Sequence, residues 1–265
     1  MTGLQSDAEH LTVRLADSEN DVLAAQRLRY AVFVEELGGD GVLVDHQRRL
    51  ERDSFDPHYD HLVLVDDRRD SVALDHVVGV YRLMTGARAR ETGRFYSEGE
   101  YDLQRLKQSG KSLLELGRSC VHAEYRGGVA MHQLWQGLAQ YVVHNQIDLL
   151  FGVASFHGTD PTSLAQPLSY LHHNHLAPEP LRVRTLPSVY CSMDLLPKDQ
   201  IDRRAAMLAT PALIKAYLRL GGFVGDGAFI DHDFNTTDVF LLADTARIKP
   251  RQRAIYAGSL SDTAP

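Results

Sequence analysis

Apolar and polar positions alternate over residues 11–15, the two-residue period of a half-buried strand. The period then lengthens: Val22, Leu23, Leu28 and Val32 fall on one side of a helix spanning 19–33. Residues 61–65 and 77–84 are β-rich runs flanking the charged turn 66–70, which predicts adjacent antiparallel strands. A third strand is expected at 113–122, after a polar, Gly-bearing loop. Gly127-Gly128 punctuates the chain before a helix over 131–143, whose apolar side carries Leu134, Trp135, Leu138, Tyr141 and Val142. The unbroken apolar run 149–156 reads as a strand buried on both faces. Beyond Asp160-Pro161 a helix is expected at 162–171 and extended chain at 181–195. A helix over 202–220 should be kinked or divided by Pro211 and stopped by Gly221-Gly222. Residues 223–229 and 238–243 are strand-like, and the part after about residue 200 reads as an addition to the main body. Residues 1–10 and 249–265 have no sustained period and are expected to be a loose leader and tail, around one domain over 11–248.

Strands alternating with helices predict an α/β fold with a twisted mixed sheet. At 265 residues, 44% hydrophobic and 24% charged, the chain can bury a core without metal or disulfide staples. Cys120 and Cys191, its two cysteines, stand far apart in strand-like runs, which favours free thiols in a reducing compartment. No basic-plus-apolar leader and no membrane-length apolar run occurs, so a cytoplasmic protein is expected, with peripheral contact at the inner membrane at most. A net charge of −7 argues against broad affinity for nucleic acid. Locally, Arg88, Arg90 and Arg94 gather in a loop-like stretch that is either a solvated surface or a docking patch for an acidic partner.

Four short motifs occur in order: Arg29-Tyr30-Ala31-Val32-Phe33 on the first helix, Asp53-Ser54-Phe55-Asp56 in the next loop, Gly79-Val80-Tyr81-Arg82 on a strand, and Glu115-Leu116-Gly117-Arg118 on the following one. Over roughly the first half this set resembles the acyl-homoserine-lactone synthases, acyltransferases on a GNAT-like fold. A longer resemblance is to the bacterial ornithine Nα-acyltransferases. It rests on residues 29–38, 78–84, FYSEGEYDL at 95–103, ELGRSCVHAEYRGGVAMHQLW at 115–135, 150–156 and LRLGGFVGDGAFIDHD at 218–233.

That resemblance implies a GNAT-like fold with a helical C-terminal addition and an acyl-carrier-protein-dependent enzyme. Its donor is a 3-hydroxyacyl thioester on the carrier's phosphopantetheine, its acceptor an amino acid, ornithine first, and its product a lyso-lipid; no cofactor is bound. Such chemistry needs a base for the α-ammonium and donors for the developing oxyanion. Glu115, on the strand before the Gly turn, is the first candidate for the base. Arg118 would lie on the opposite strand face unless Gly117 permits a bulge, and the two could instead form a bracing ion pair. Asp53 and Asp56 could hold the acceptor's cationic groups or cap turns and orient Arg29 and Arg82. Arg29, Phe33 and Arg82 complete the substrate-binding set, Arg82 being the arginine expected to be buried and paired.

The superfamily cradles a pyrophosphate at a helix start, and Tyr125-Arg126-Gly127-Gly128-Val129-Ala130 approximates that loop. Tyr125 stands where Arg or Gln is expected. A single-phosphate carrier arm on Arg126, Gly127, Gly128 and Ala130 therefore fits better than acetyl-CoA. Tyr170 stands either as the donor that protonates the leaving thiolate or as a core tyrosine. His172-His173-Asn174-His175 lacks the spacing of a zinc-binding helix and is read as a solvated helix end, with no metal. No Gly-x-Ser-x-Gly elbow surrounds Ser119 or Ser155. An acyl-homoserine-lactone synthase and a non-catalytic acyl-carrier or lipid-binding protein remain the alternatives.

Overall fold

The computed structural model describes residues 9–127 and 129–248. The expected leader falls almost wholly outside them, and the tail 249–265 entirely so. In chain order the elements are β1 (Leu11–Leu15), α1 (Glu19–Arg29), β2 (Asp60–Asp66), β3 (Val77–Thr85), α2 (Gly86–Thr92), β4 (Tyr101–Asp102), α3 (Gln104–Lys107), β5 (Leu113–Val121), α4 (Ala130–His144), β6 (Leu149–His157), α5 (Ala165–His175), β7 (Arg184–Thr185), α6 (Arg203–Ala209), α7 (Ala212–Arg219), β8 (Phe223–Asp231) and β9 (Thr236–Asp244). They fall into two compact units, one of residues 9–84 with 117–146 and one of 85–116 with 147–248.

In the first unit β1 pairs antiparallel with β2, Leu11 opposite Asp66, and β2 pairs antiparallel with β3, His61 opposite Arg82. Alternation divides the side chains between two helices. Val63, Val77 and Val80 pack with Ala24, Ala25 and Leu28 of α1, together with Cys120. On the other face α4 lies so close that a Cβ on Gly137 would meet Val13 Cγ2 at 2.6 Å, and one on Gly79 would meet Leu134 Cδ1 at 2.8 Å. Covered on both sides, β3 is buried from Val77 to Met84 and reads as a continuous apolar run with one arginine in it.

Ser18 caps α1 by accepting a hydrogen bond from the Asp21 amide. The helix does not continue regularly to residue 33 as its spacing predicts. From Tyr30 to Glu36 it widens into a π-helical segment, an arrangement frequent at functional sites.

In the second unit the first four residues of β5 pair parallel with β6, Leu113 opposite Leu149 and Leu116 opposite Gly152. β6 pairs antiparallel with β9 along its whole length, and β9 with β8, which bulges between Val224 and Ala228. β7 and β4 complete this mixed sheet. Phe151 lies between Phe95 and Phe240, ring centroids 5.0 and 5.6 Å away, and Tyr101 donates its hydroxyl to the Asp238 carbonyl at 2.9 Å. Pro211 does divide the helical stretch, into α6 and α7. The C-terminal addition is helical only that far. β8 and β9 then enter the sheet, because residues 236–243 are buried and their backbone groups require a ladder. Residues 181–195 form short turns around β7 rather than a long extended run, and Arg88 and Arg90 stand on helix α2, capped by Thr85, rather than in a loop.

Candidate active site

Three guanidinium groups and three carboxylates meet on the α1 face of the first unit. Arg29 closes α1 and is completely buried; its Nε donates to Glu51 and its Nη1 to Asp56 at 2.7 Å. Arg82 shares a strand face with Val80 and donates through Nη1 to Asp53 at 2.7 Å and to Asp56 at 2.6 Å. Its guanidinium also lies over the Tyr59 ring, 4.4 Å from the centroid. Arg118 reaches Glu51 at 3.1 Å and Asp53 at 3.4 Å. Gln26, one helical turn before Arg29, donates to the second Asp56 oxygen at 2.9 Å.

Local structure holds the carboxylates where the arginines need them. An isolated bridge between Asp45 and Leu50 closes the preceding loop, and the Glu51 amide donates to the Gln26 carbonyl at 3.1 Å. Asp53 caps the following turn, accepting from the Phe55 and Asp56 amides at 2.9 and 3.1 Å. The turn-capping and arginine-orienting roles of this aspartate are therefore one geometry. Arg118 has φ +49°, so the irregularity expected at Gly117 falls one residue later. A non-glycine residue held there stores strain, and it swings the side chain onto the face of Glu51 and Asp53.

Burial alone would raise the Glu51 and Asp56 carboxyls, but the adjacent guanidinium groups outweigh it. Glu51 is held at about 2, chiefly by Arg29 and Arg118, and Asp56 is held well below the carboxylate range by Arg29 and Arg82. Burial lowers His61, whose ring lies 3.1 Å from the Asp56 carbonyl, so its neutral form is favoured. The Glu51 and Asp56 carboxylates and the Arg29 guanidinium they flank therefore stay charged at neutral pH. Arg118 and Asp53, with 16% and 19% of their side chains exposed, form the accessible rim of an otherwise buried cluster.

Five residues expected at the site, Arg29, Asp53, Asp56, Arg82 and Arg118, thus converge. Phe33 packs against the apolar α1 core. Glu51 and Gln26 escaped the sequence reading. Glu51 carried one signal, a carboxylate two residues before Asp53 and next to the buried Leu50. Gln26 carried only its spacing from Arg29.

The other expected residues lie elsewhere. Glu115 belongs to the second unit and is 1% exposed; its carboxylate accepts from the Tyr96 and Ser97 amides at 2.9 and 2.7 Å and from the Ser97 hydroxyl. Tyr170 is half-buried on α5, its ring 5.5 Å from that of His175. Arg126 is exposed, bonded to the Val121 carbonyl at 3.0 Å and to Glu36 at 2.7 Å. Gly127 takes φ +74°, and buried Ala130 opens α4, whose N-cap residue Val129 offers no capping side chain. Gly128 lies outside the described residues. Arg88, Arg90 and Arg94 are all exposed.

Residues 28–136, which include all three arginines and all three carboxylates of the cluster, match the family model described as "Acetyltransferase (GNAT) domain". The chain's fold aligns with the crystal structure of the AHL synthase LasI at TM-score 0.51 and 15% identity, over 97% of this chain and 99% of that one, a likeness of fold. The class the fold defines is therefore that of proteins with a GNAT-like fold. Within it, the chain is 59% identical over 244 residues to the L-ornithine N(alpha)-acyltransferase of Rhodobacter capsulatus, covering 92% of this chain and 93% of the relative. It is 45% identical over 248 residues to the enzyme of that name from Brucella abortus, covering 93% and 88%. The chain belongs to the L-ornithine Nα-acyltransferase family. It is an N-acyltransferase, and no helix among the described residues is long and apolar enough to cross a membrane.

Proposed function

We propose that this enzyme joins a 3-hydroxy fatty acyl group, delivered as a thioester on the phosphopantetheine arm of acyl carrier protein, to the α-amine of ornithine, making the lyso-lipid of ornithine-lipid synthesis. The observation that carries the acceptor is the 59% identity, over nearly the full length of both chains, to a relative named for that substrate. The charge set supports it. Ornithine brings one carboxylate and two ammonium groups, and the accessible rim of the cluster offers one guanidinium, Arg118, and one carboxylate, Asp53. Arg118 receives the carboxylate and Asp53 a cationic group. Arg29, Arg82, Glu51 and Asp56 are buried and mutually neutralised; they hold the rim pair in position.

The α-ammonium gives up one proton, its nitrogen attacks the thioester carbonyl, and the C–S bond breaks as the amide forms. The second proton leaves the nitrogen as the thiolate is protonated. Glu115 suits direct abstraction poorly, since three donors occupy a carboxylate that solvent hardly reaches; its geometry supports a positioning role, holding the turn at residues 95–99. The first proton passes to water. Arg126, Gly127, Gly128 and Ala130 are the proposed seat of the arm's phosphate, supported by the uncapped start of α4, where free N–H groups favour an anion. The exposed arginines Arg88, Arg90 and Arg94 suit the acidic carrier.

The test is mass spectrometry of products formed from 3-hydroxyacyl carrier protein, free amino acids and S-adenosylmethionine. N-acyl-ornithine is expected. An acyl-homoserine lactone, or no transfer, overturns the proposal.

A further inference from the structure

Helix α5 ends in adjacent histidines, and the fold brings a carboxylate from a later segment against both. His173 Nε2 lies 3.0 Å from one Asp194 oxygen and His172 Nε2 lies 3.9 Å from the other. The two rings meet edge to face with centroids 5.2 Å apart, and the three candidate donor atoms all lie within 4.8 Å of one another. An ion pair needs only one imidazole per carboxylate. Here each oxygen faces its own ring.

We propose that His172, His173 and Asp194 form a binding site for a zinc-type divalent transition cation. In a tetrahedral zinc site, bonds of about 2.0–2.1 Å place neighbouring nitrogen and oxygen donors about 3.3 Å apart. The two nitrogen–oxygen separations, 3.0 and 3.9 Å, bracket that value, and side-chain rotation has to close the donor set from within 4.8 Å. Two imidazoles with one carboxylate suit zinc-type ions better than calcium or magnesium, which take oxygen ligands.

The segment that carries Asp194 is anchored independently of any ion. The buried Ser169 hydroxyl, one helical turn before His173, accepts the backbone N–H groups of Leu195 and Leu196 at 3.1 and 3.0 Å. This lock fixes the carboxylate opposite the histidines before a cation arrives. His173 Nε2 also lies 3.1 Å from the Leu196 carbonyl, a contact that binding would exchange for the metal bond. Exposure of Asp194 leaves the remaining coordination positions to water. Sequence spacing gives no sign of such a site, because Asp194 is remote from the histidines along the chain.

The experiment uses tag-free full-length chain, stripped by chelator and titrated with Zn2+ by calorimetry and with Co2+ by visible absorption. The expected result is one tight equivalent, with a Co2+ ligand-field band, and binding at least tenfold weaker in His173→Ala and Asp194→Asn. In the wild-type protein Zn2+ should also shield His172 and His173 from diethylpyrocarbonate, read by peptide mass spectrometry; this readout does not depend on a variant folding. Equal binding by wild type and both variants, or unchanged modification of the two histidines with Zn2+ present, overturns the proposal. Its failure leaves the acyl-transfer reading untouched, since neither readout involves turnover.

Discussion

Replacing Glu51 by Gln keeps the side chain's shape and removes one of three charges that neutralise Arg29, Arg82 and Arg118. Arg29 is wholly buried and is left with Asp56 as its anionic partner. Removing one member of a buried ion pair costs about 3–5 kcal/mol, because an uncompensated charge remains. A second route to the magnitude uses the carboxyl itself. Holding Glu51 from an ordinary 4.5 down to about 2 corresponds to roughly 3 kcal/mol of favourable interaction. Both routes point to a loss of about 3 kcal/mol. For a chain of this size that lowers the melting midpoint by about 6–12 °C. Urea unfolding followed by circular dichroism, with thermal scans of wild type and Glu51→Gln, measures it directly. Because Glu51 also orients Arg118, KM for the amino acid should rise more than kcat falls, and the combination with Arg118→Gln should be less than additive in binding. A stability loss below about 1 kcal/mol, the range of an exposed ion pair, would refute the idea of a buried strut.

The same charges set an acid limit. Glu51 and Asp56 have depressed carboxyls in the folded state, so their stabilisation is complete above the ordinary carboxylate range and is lost as pH falls from about 4.5 toward 2. Unfolding free energy should drop across that window, less steeply in Glu51→Gln, and identical slopes would contradict it. A Cβ on Gly152 would meet the Leu116 carbonyl oxygen at 2.2 Å, so Gly152→Ala should cost about 3 kcal/mol, the upper end for overpacking, read from the urea midpoint. An unchanged midpoint would mean that β5 and β6 lie farther apart. Glu115→Gln turns an acceptor toward the Ser97 amide into an amide that satisfies it only in part. It should lose about 1–3 kcal/mol, with Ser97→Ala losing part of the same. A hundredfold fall in turnover at an unchanged melting midpoint would restore Glu115 as the base. Arg88→Glu with Arg90→Glu should raise KM for acyl carrier protein and flatten its salt dependence while leaving the melting midpoint in place; unaltered kinetics would return both to plain surface.

Much of the architecture was legible because it is local. Alternation marked β1, β-rich runs marked β2 and β3, and the apolar run at 149–156 gave β6. The stripe through Leu134, Trp135 and Leu138 gave α4, and Pro211 marked the break between α6 and α7. Two local features were hidden. The π-helical segment at Tyr30–Glu36 keeps a helical composition, and α2 is too short for a period to show. The C-terminal strands were visible as strands, yet their membership of the sheet was not, since β6 and β9 meet through pairing that no nearby residue announces.

The candidate site divides the same way. Residue types and their order along the chain named Arg29, Asp53, Asp56, Arg82 and Arg118, and the family they resemble. Tertiary structure decided what each one touches. It added Glu51 and Gln26, swung Arg118 inward through a left-handed backbone angle, committed Glu115 to the 95–99 turn, and set Asp194 against two histidines that sequence had left to solvent. The reason is physical. Periodicity reports which side of an element faces the core, whereas the pairing of buried charges depends on distances between elements far apart in the chain, and those exist only once the chain has packed.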